Sequence, residues 1–449
     1  MVPVSISPVR RREILDALRR GTVPAGSLDV LAVGLDRFIP TVDAELDAVA
    51  GGGAGFKAVR GEYGSGKTFF ARWFEQRALA RGFAVAEVQI SELETPLHRL
   101  ETVYRRVCES LRTQAFPPSA FRPVVDAWLF GVETDAAAAA GVEQASREQL
   151  LALLDRRLGQ VATATPVFPI ALRGYLAALD AGDEATAEAV IAWLAGQPHV
   201  AAAAKRAAGI RGDIDHFLAL GFLQGLLAVL KGARHAGLVI VLDEVETLQR
   251  MRSDARAKAL NALRQWLDEL DAGRYPGLYL MITGTPAFFD GRQGVQGLPP
   301  LAARLATTFA DPRFDNPRAP QIRLPAFDLE RLVEVGSRVR DVFADGSPAA
   351  DRVRDLVDDA LLADLAVAVA GRLGGQVGIV PRLYLRKLVA EVLDLVELYP
   401  DFRPREHAVS VRPDEMTAAE RAASSGARRS PDDVTLPDDV TPSPDDVTR

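Results

Sequence analysis

Apolar residues recur at three- and four-residue spacing near the start of the chain, which predicts two short amphipathic helices. Arg10–Arg20 carries Ile14, Leu15 and Leu18 on one side, and Asp36–Val49 carries Phe38, Val42, Leu46 and Val49, with Leu35 just ahead of it. Val23–Gly34 reads as the loop between them, and Gly51–Gly55 as a glycine turn. The pattern then shortens. Phe56–Arg60 is a strand, Thr68–Arg81 a helix that buries Phe70, Trp73, Phe74 and Leu79, and Phe83–Ile90 a second strand with alternating polarity. Strand, glycine-rich loop, helix and strand make a βαβ unit, which calls for a parallel sheet.

The pattern next turns helical for an unusual distance. Thr68 and Asp243 are 175 residues apart, where one βαβ unit takes ~30. Leu97–Leu111, Arg147–Leu158, Ile170–Leu179, Thr186–Leu194 and His216–Leu230 have helical periodicity, broken by Pro117, Pro118, Pro166, Pro169 and Pro198. The alanine run Ala136–Ala140 reads as helix or loop surface. Leu238–Leu242 is a continuous apolar run of the kind a buried central strand shows. Arg256–Leu270 is an amphipathic helix, Leu278–Thr283 the next strand and Gln321–Leu324 the last. Beyond Pro325 the pattern is helical throughout, over Leu329–Val342, Arg352–Leu373 and Val380–Leu398.

The expected fold is therefore α/β: a P-loop NTPase core of the AAA+/Orc-like kind, with a parallel sheet, a large helical insertion and a C-terminal helical lid. The expected divisions are an N-terminal helical segment at 1–50, the first part of the core at 51–111, the insertion at 112–215, the rest of the core at 216–326, the lid at 327–411 and an acidic tail at 412–449. Three copies of PDDVT, at Pro431–Thr435, Pro437–Thr441 and Pro444–Thr448, give that tail a composition unable to bury a core, so disorder is expected there.

Composition narrows the function classes. A single cysteine, Cys108, excludes an internal disulfide and a cysteine-rich zinc site, and the five histidines lack metal-ligand spacing. No apolar run is long enough for a membrane helix, and no secretory leader is visible, so the expected location is the cytoplasm. Six aspartates and Arg449 in the tail account for five of the seven net negative charges, which leaves the body near neutral. Global charge therefore does not call for nucleic acid, although a local basic face is compatible with it.

The chemistry concentrates in two motifs. Gly61, Glu62, Tyr63, Gly64, Ser65, Gly66, Lys67 and Thr68 fit GxxxxGK[ST] between a strand and a helix. Glycines let successive backbone N–H groups turn onto phosphate oxygens, and the helix presents its positive end to the same anion. Lys67 is placed to reach the β and γ phosphates and Thr68 to ligate Mg²⁺. The run Val239–Glu246 ends a buried strand in acids. Asp243 is the expected partner of Mg²⁺, and Glu244 the group that orients and activates water. Glu246, one turn further on, is expected to be solvated.

Thr285, and after it Thr283, are candidates for sensing the γ-phosphate from the end of the strand that lies between the two Walker strands in an AAA+-like sheet. Hydroxyl capping of a strand-to-loop turn is the plainer reading of both. Arg304 stands where an arginine finger is found in AAA+-like proteins, and Arg382 where a helical lid carries its sensor arginine. A surface ion pair is the alternative for each.

The blocks RREILDALRRGTVP (Arg11–Pro24), KAVRGEYGSGKTFF (Lys57–Phe70), VLDEVETLQRMR (Val241–Arg252), GLYLMITGTPAFFDG (Gly277–Gly291) and DPRFDNPRAPQIRLP (Asp311–Pro325) together resemble the ATP-binding proteins of the BREX bacteriophage-defence systems, of the BrxD type. The resemblance covers about 10–400 and implies an AAA+-like ATPase using ATP and Mg²⁺. It further implies work with other defence proteins, a helicase among them, with any DNA contact non-specific or indirect. Homo-oligomerisation follows if Arg304 acts on a neighbour. The competing expectations are a nucleotide-switched scaffold with little hydrolysis and an Orc/Cdc6-like DNA loader. The absence of a winged-helix pattern after Leu398 counts against the loader.

Overall fold

The structure is a computed structural model that describes residues 6–325, 327–372, 381–407 and 415. The PDDVT repeats and all of the expected disordered tail except Glu415 lie outside the described residues, as do Leu373 and Val380.

Alternation within the apolar runs builds a sheet covered on both faces. Its strands are β1 (Gly55–Arg60), β2 (Ala84–Gln89), β3 (Leu238–Asp243), β4 (Leu278–Gly284) and β5 (Gln321–Arg323), all parallel, in the order β2-β3-β4-β1-β5. β1 and β2 are thus not neighbours, although one βα unit joins them. The chain crosses from the middle of the sheet to its far edge, returns through β3 and β4, and passes over β1 to β5. β4 accordingly lies between the two Walker strands, as an AAA+-like sheet requires. The connection from β1 to β2 runs toward one edge and that from β4 to β5 toward the other, and such a reversal opens a crevice at the carboxyl ends of the strands.

Helices in chain order are α1 (Pro8–Arg19), α2 (Ile39–Ala50), α3 (Lys67–Ala80), α4 (Leu100–Ser110), α5 (Phe121–Ala140), α6 (Arg147–Arg157), α7 (Gly159–Ala164), α8 (Val167–Asp180), α9 (Glu184–Leu194), α10 (Ala202–Ala207) and α11 (His216–Gly232). After β3 come α12 (Ser253–Asp271), α13 (Pro286–Asp290) and α14 (Pro299–Arg304), and after β5 α15 (Leu329–Ala344), α16 (Ala350–Leu356), α17 (Asp359–Arg372), α18 (Pro381–Lys387) and α19 (Asp394–Leu398).

Three apolar cores result. Val239, Val241, Tyr279 and Met281 point to one sheet face, where α2 and α3 cover them with Val42, Leu46, Phe70, Trp73 and Phe74. Leu238, Ile240, Leu242, Leu278, Leu280 and Ile282 point to the other, and there the insertion joins them: its Trp128, Phe168, Tyr175 and Trp193 share one core with the sheet, with Phe222 of α11 and with α12. The insertion is therefore built into the sheet. Close contacts along α11 hold it there. A Cβ on Gly225 would sit 2.6 Å from three ring atoms of Phe168.

The third core joins the two ends of the chain. Ile14, Leu15 and Leu18 of α1 pack among Leu332, Val339, Leu383, Tyr384 and Leu388 of the lid, and Arg19 binds Asp394 through two hydrogen bonds of 2.8 and 2.7 Å. α1 packs into this lid core, while α2 packs against the sheet.

Several expected elements differ in the structure. Arg352–Leu373 is two helices: Asp358 accepts a hydrogen bond from the Leu361 N–H at 2.8 Å and caps the second. The stretch before the alanine run is helical too, since Phe121, Val124, Val125, Trp128, Leu129 and Val132 of α5 are buried. Pro123 lies in its first turn, where no intrahelical donor is lost. Glu415, on the tail side of 412, is buried against Lys387 at 2.8 Å. That one residue is held inside the fold by an ion pair, which composition alone does not foretell.

Candidate nucleotide site

The Walker A loop leaves β1 at Gly61 and enters α3 at Lys67. Gly64 and Gly66 have φ of 78° and 89°, a left-handed conformation that Cβ-bearing residues adopt at a cost. At Gly61 the reason is closeness: a Cβ there would overlap the Ser65 hydroxyl. Lys67 is nearly buried, and its Nζ donates to the carbonyls of Gly61 (2.9 Å) and Glu62 (3.2 Å). The Tyr63 ring lies 5.1 Å from the same ammonium. Ser65 Oγ is buried with no hydrogen-bond partner among the described residues.

Register brings the second motif alongside. β3 ends at Asp243, opposite Gln89 of β2, and Thr283 of β4 stands beside it. Asp243 collects three donors: Thr68 Oγ1 at 3.1 Å, the Thr283 hydroxyl, and the Glu244 N–H at 3.0 Å. The Thr283 hydroxyl also accepts from the Glu244 N–H at 3.3 Å. The Walker A helix, the Walker B acid and the β4 threonine are thereby one connected polar group beneath the loop.

Glu244 has φ of 60°, an uncommon conformation for a residue with a side chain, and it turns the chain from β3 into the 3-10 turn Val245–Arg250. Its carboxylate is exposed at the mouth and accepts from Gln89 Nε2 at 3.0 Å. That same turn carries Glu246 inward, contrary to the expectation of a solvated acid. Glu246 is 6% exposed, its Oε1 lies 3.9 Å from Lys67 Nζ, and neither oxygen has a hydrogen-bond partner among the described residues. Burial pushes its carboxyl from 4.5 up to about 7, against the opposing pull of the Lys67 ammonium.

The remaining candidates fall elsewhere. Thr285 is buried at the head of α13, where its carbonyl accepts from the Phe288 N–H at 3.0 Å. Arg304 ends α14 and pairs with Asp268 and Asp271 of α12. Arg382 donates to the Glu415 carbonyl at 2.9 Å. Gln89 and the buried Glu246 were not foreseen. The signal for Gln89 was a polar residue closing an otherwise alternating strand, but its use depends on β2 lying next to β3.

The donor set fits a nucleoside polyphosphate with a divalent cation. Backbone N–H groups of a glycine loop, a buried unpartnered hydroxyl and an ammonium sit at the start of a four-turn helix, and a hydroxyl–carboxylate pair adjoins them. The lid reaches this place as well: Phe327 would contact a Cβ on Gly66 at 3.8 Å, and Phe69 packs against both the lid core and the α3 side of the sheet.

Comparison with known proteins places the chain. No curated protein matches it. Among solved structures it is similar to the ORC2 protein of Aeropyrum pernix, determined as ADPNP–ADP complexes, at 14% identity and a TM-score of 0.34, over 83% of this chain and 70% of that one. Residues 6–412 match the family described as BREX system ATP-binding protein BrxC/D. With that match spanning nearly all of the chain, the protein belongs to the BrxC/D family of BREX system ATP-binding proteins.

Proposed function

We propose that the chain is a Mg²⁺-dependent ATPase whose turnover drives or regulates a BREX assembly, in company with a helicase or another DNA-associated component. The observation that carries the hydrolytic part is the arrangement around Asp243. Thr68, Asp243 and Thr283 form one hydrogen-bonded group, and Glu244 stands at the mouth beside it, steadied by Gln89. In this reading the backbone of Gly61–Thr68 and Lys67 bind the phosphates, and Thr68 and Asp243 hold Mg²⁺, which supplies charge neutralisation on the phosphate oxygens when bound. Glu244 accepts the proton of the attacking water, and Gln89 fixes the direction of its carboxylate. Thr283 holds Asp243 in place, a position that Thr285 at the head of α13 does not share. Arg304 and Arg382 receive no role here, because the described contacts of each lead to other residues.

A nucleotide-switched scaffold is the second reading. The nearness of Phe327 to Gly66, and the packing of Phe69 against both the lid core and the sheet core, favour it, since they bring lid position close to the loop. Phosphate release by wild type and Glu244→Gln, with and without duplex DNA, separates the two. Turnover by wild type, with a loss of at least ~10²-fold in Glu244→Gln at unchanged nucleotide binding, upholds the ATPase. Binding without turnover by wild type in either condition transfers the case to the scaffold. Stimulation by DNA favours a DNA-coupled motor or loader.

A further inference from the structure

Glu246 is a charged group that the proposed reaction does not use, yet the fold encloses it. A carboxylate removed from water with no hydrogen-bond donor is costly, and such groups persist where a charge nearby compensates them. The compensating charge on Glu246 is Lys67, at 3.9 Å. The geometry is Coulombic, because the ammonium donates to the carbonyls of Gly61 and Glu62. Tyr63 closes over the same nitrogen. Ser65 Oγ, also buried and unpartnered, adds a second unsatisfied polar group at this place. Both side chains are enclosed beside the loop that carries Lys67, and among the described residues neither has a hydrogen-bond partner. Lys67 is the cation that a nucleotide's terminal phosphates need.

We infer that Glu246 is a positioning residue that competes with nucleotide phosphate for Lys67. It draws the ammonium toward the Walker B side of the loop, and a nucleotide has to win the ammonium away. Glu246 thereby weakens nucleotide binding and makes affinity depend on the charge of the terminal phosphate. The triphosphate is affected more than the diphosphate, because Lys67 reaches toward the outermost groups. This inference rests on the nucleotide-site reading above.

The test is calorimetric titration of the full chain at about pH 8.5, where a carboxyl raised to about 7 is ionised, in EDTA, with ADP and with a non-hydrolysable ATP analogue. Removing Mg²⁺ confines the comparison to the loop and Lys67. Glu246→Gln keeps the side-chain shape and removes the charge. The expected result is an affinity gain of ~10-fold for the triphosphate and ~2–3-fold for the diphosphate, as for the loss of one opposite charge competing for the Lys67 ammonium at 3.9 Å in partly screened surroundings. Glu246→Asp keeps a charge but draws it back by one methylene, and its affinities should fall between those of wild type and Glu246→Gln. In a Lys67→Met background the gain from Glu246→Gln should shrink to less than ~2-fold. A full gain in that background means direct repulsion of phosphate and overturns the role through Lys67. Equal or weaker binding by both Glu246 variants means a packing role and overturns the inference as well. Absence of binding by wild type would fail the site reading itself, which is a different outcome from either.

Discussion

Replacing Thr283 by Val removes one hydroxyl from a fully buried position and leaves the shape of the side chain nearly intact. The hydroxyl donates to Asp243, so the lost interaction is a hydrogen bond to a charged acceptor, ~1.5–3 kcal/mol. The methyl that takes its place is buried among the sheet residues and returns roughly 0.8 kcal/mol. The net cost is therefore ~1–2 kcal/mol of stability. Asp243 keeps its contacts with Thr68 Oγ1 and the Glu244 N–H at 3.1 and 3.0 Å, so the sheet should still form. The functional consequence is separate. With one of its holders gone the carboxylate gains rotameric freedom, and the Mg²⁺ concentration that half-saturates nucleotide-dependent turnover should rise ~10-fold, the equivalent of ~1.4 kcal/mol. Denaturation followed by tryptophan fluorescence reports the first quantity, because Trp73 and Trp266 lie buried on opposite sides of the sheet. A Mg²⁺ titration reports the second. Thr283→Ser separates the two effects: it loses a buried methyl, with a similar stability cost, but retains the donor and should keep the wild-type Mg²⁺ response. A Thr283→Val protein with wild-type Mg²⁺ dependence, or a Thr283→Ser protein that shifts as far as Thr283→Val, would refute the assignment of Thr283 as the holder of Asp243.

Two further predictions concern stability. Glu75 of α3 is 2% exposed beside Arg112, and burial raises its carboxyl from 4.5 to about 7. The unfolded chain releases that proton at lower pH than the folded one, so this residue's contribution declines as pH rises between about 4.5 and 7, by ~3 kcal/mol, and is level above that. Glu75→Gln should stabilise the protein at pH 8 and leave it little changed at pH 4.5, as read by denaturant midpoints across that range; an equal effect at both ends would refute the assignment. Gly225→Ala places a methyl against the Phe168 ring and should destabilise by ~1–3 kcal/mol through overpacking, with α11 and α8 losing hydrogen-exchange protection before β1 does.

The parts of the site legible in the sequence are those written in consecutive residues. Gly61–Thr68 shows its glycine spacing and lysine directly, and Asp243 ends an apolar strand. Thr283, Gln89 and Glu246 depend on relations the linear pattern does not contain. Gln89 meets Glu244 only because β2 lies beyond β3 at the sheet edge, where chain order suggests that β2 would pair with β1. Glu246 reads as solvated because a helix would carry it outward, whereas the left-handed turn at Glu244 carries it back toward Lys67. Arg304 pairs with Asp268 and Asp271 of α12, neighbours that the linear sequence does not show. The helical periods located most elements; one misses a break set by a local capping bond, at Asp358, and another misses the apolar face of α5 ahead of the alanine run.

The joining of α1 to the lid sets a schedule for synthesis. Arg19 and Asp394, which bind each other, are separated by 375 residues. At ~5–20 residues per second, a ribosome takes roughly 20–75 s to pass from one to the other. For most of that interval Ile14, Leu15 and Leu18 are outside the ribosome while most of the residues that will cover them have not been made. The nascent N-terminus therefore remains a short amphipathic segment with an uncovered apolar side for most of translation. It is the place where a holding chaperone would bind first, and where a chain stalled before the lid would aggregate.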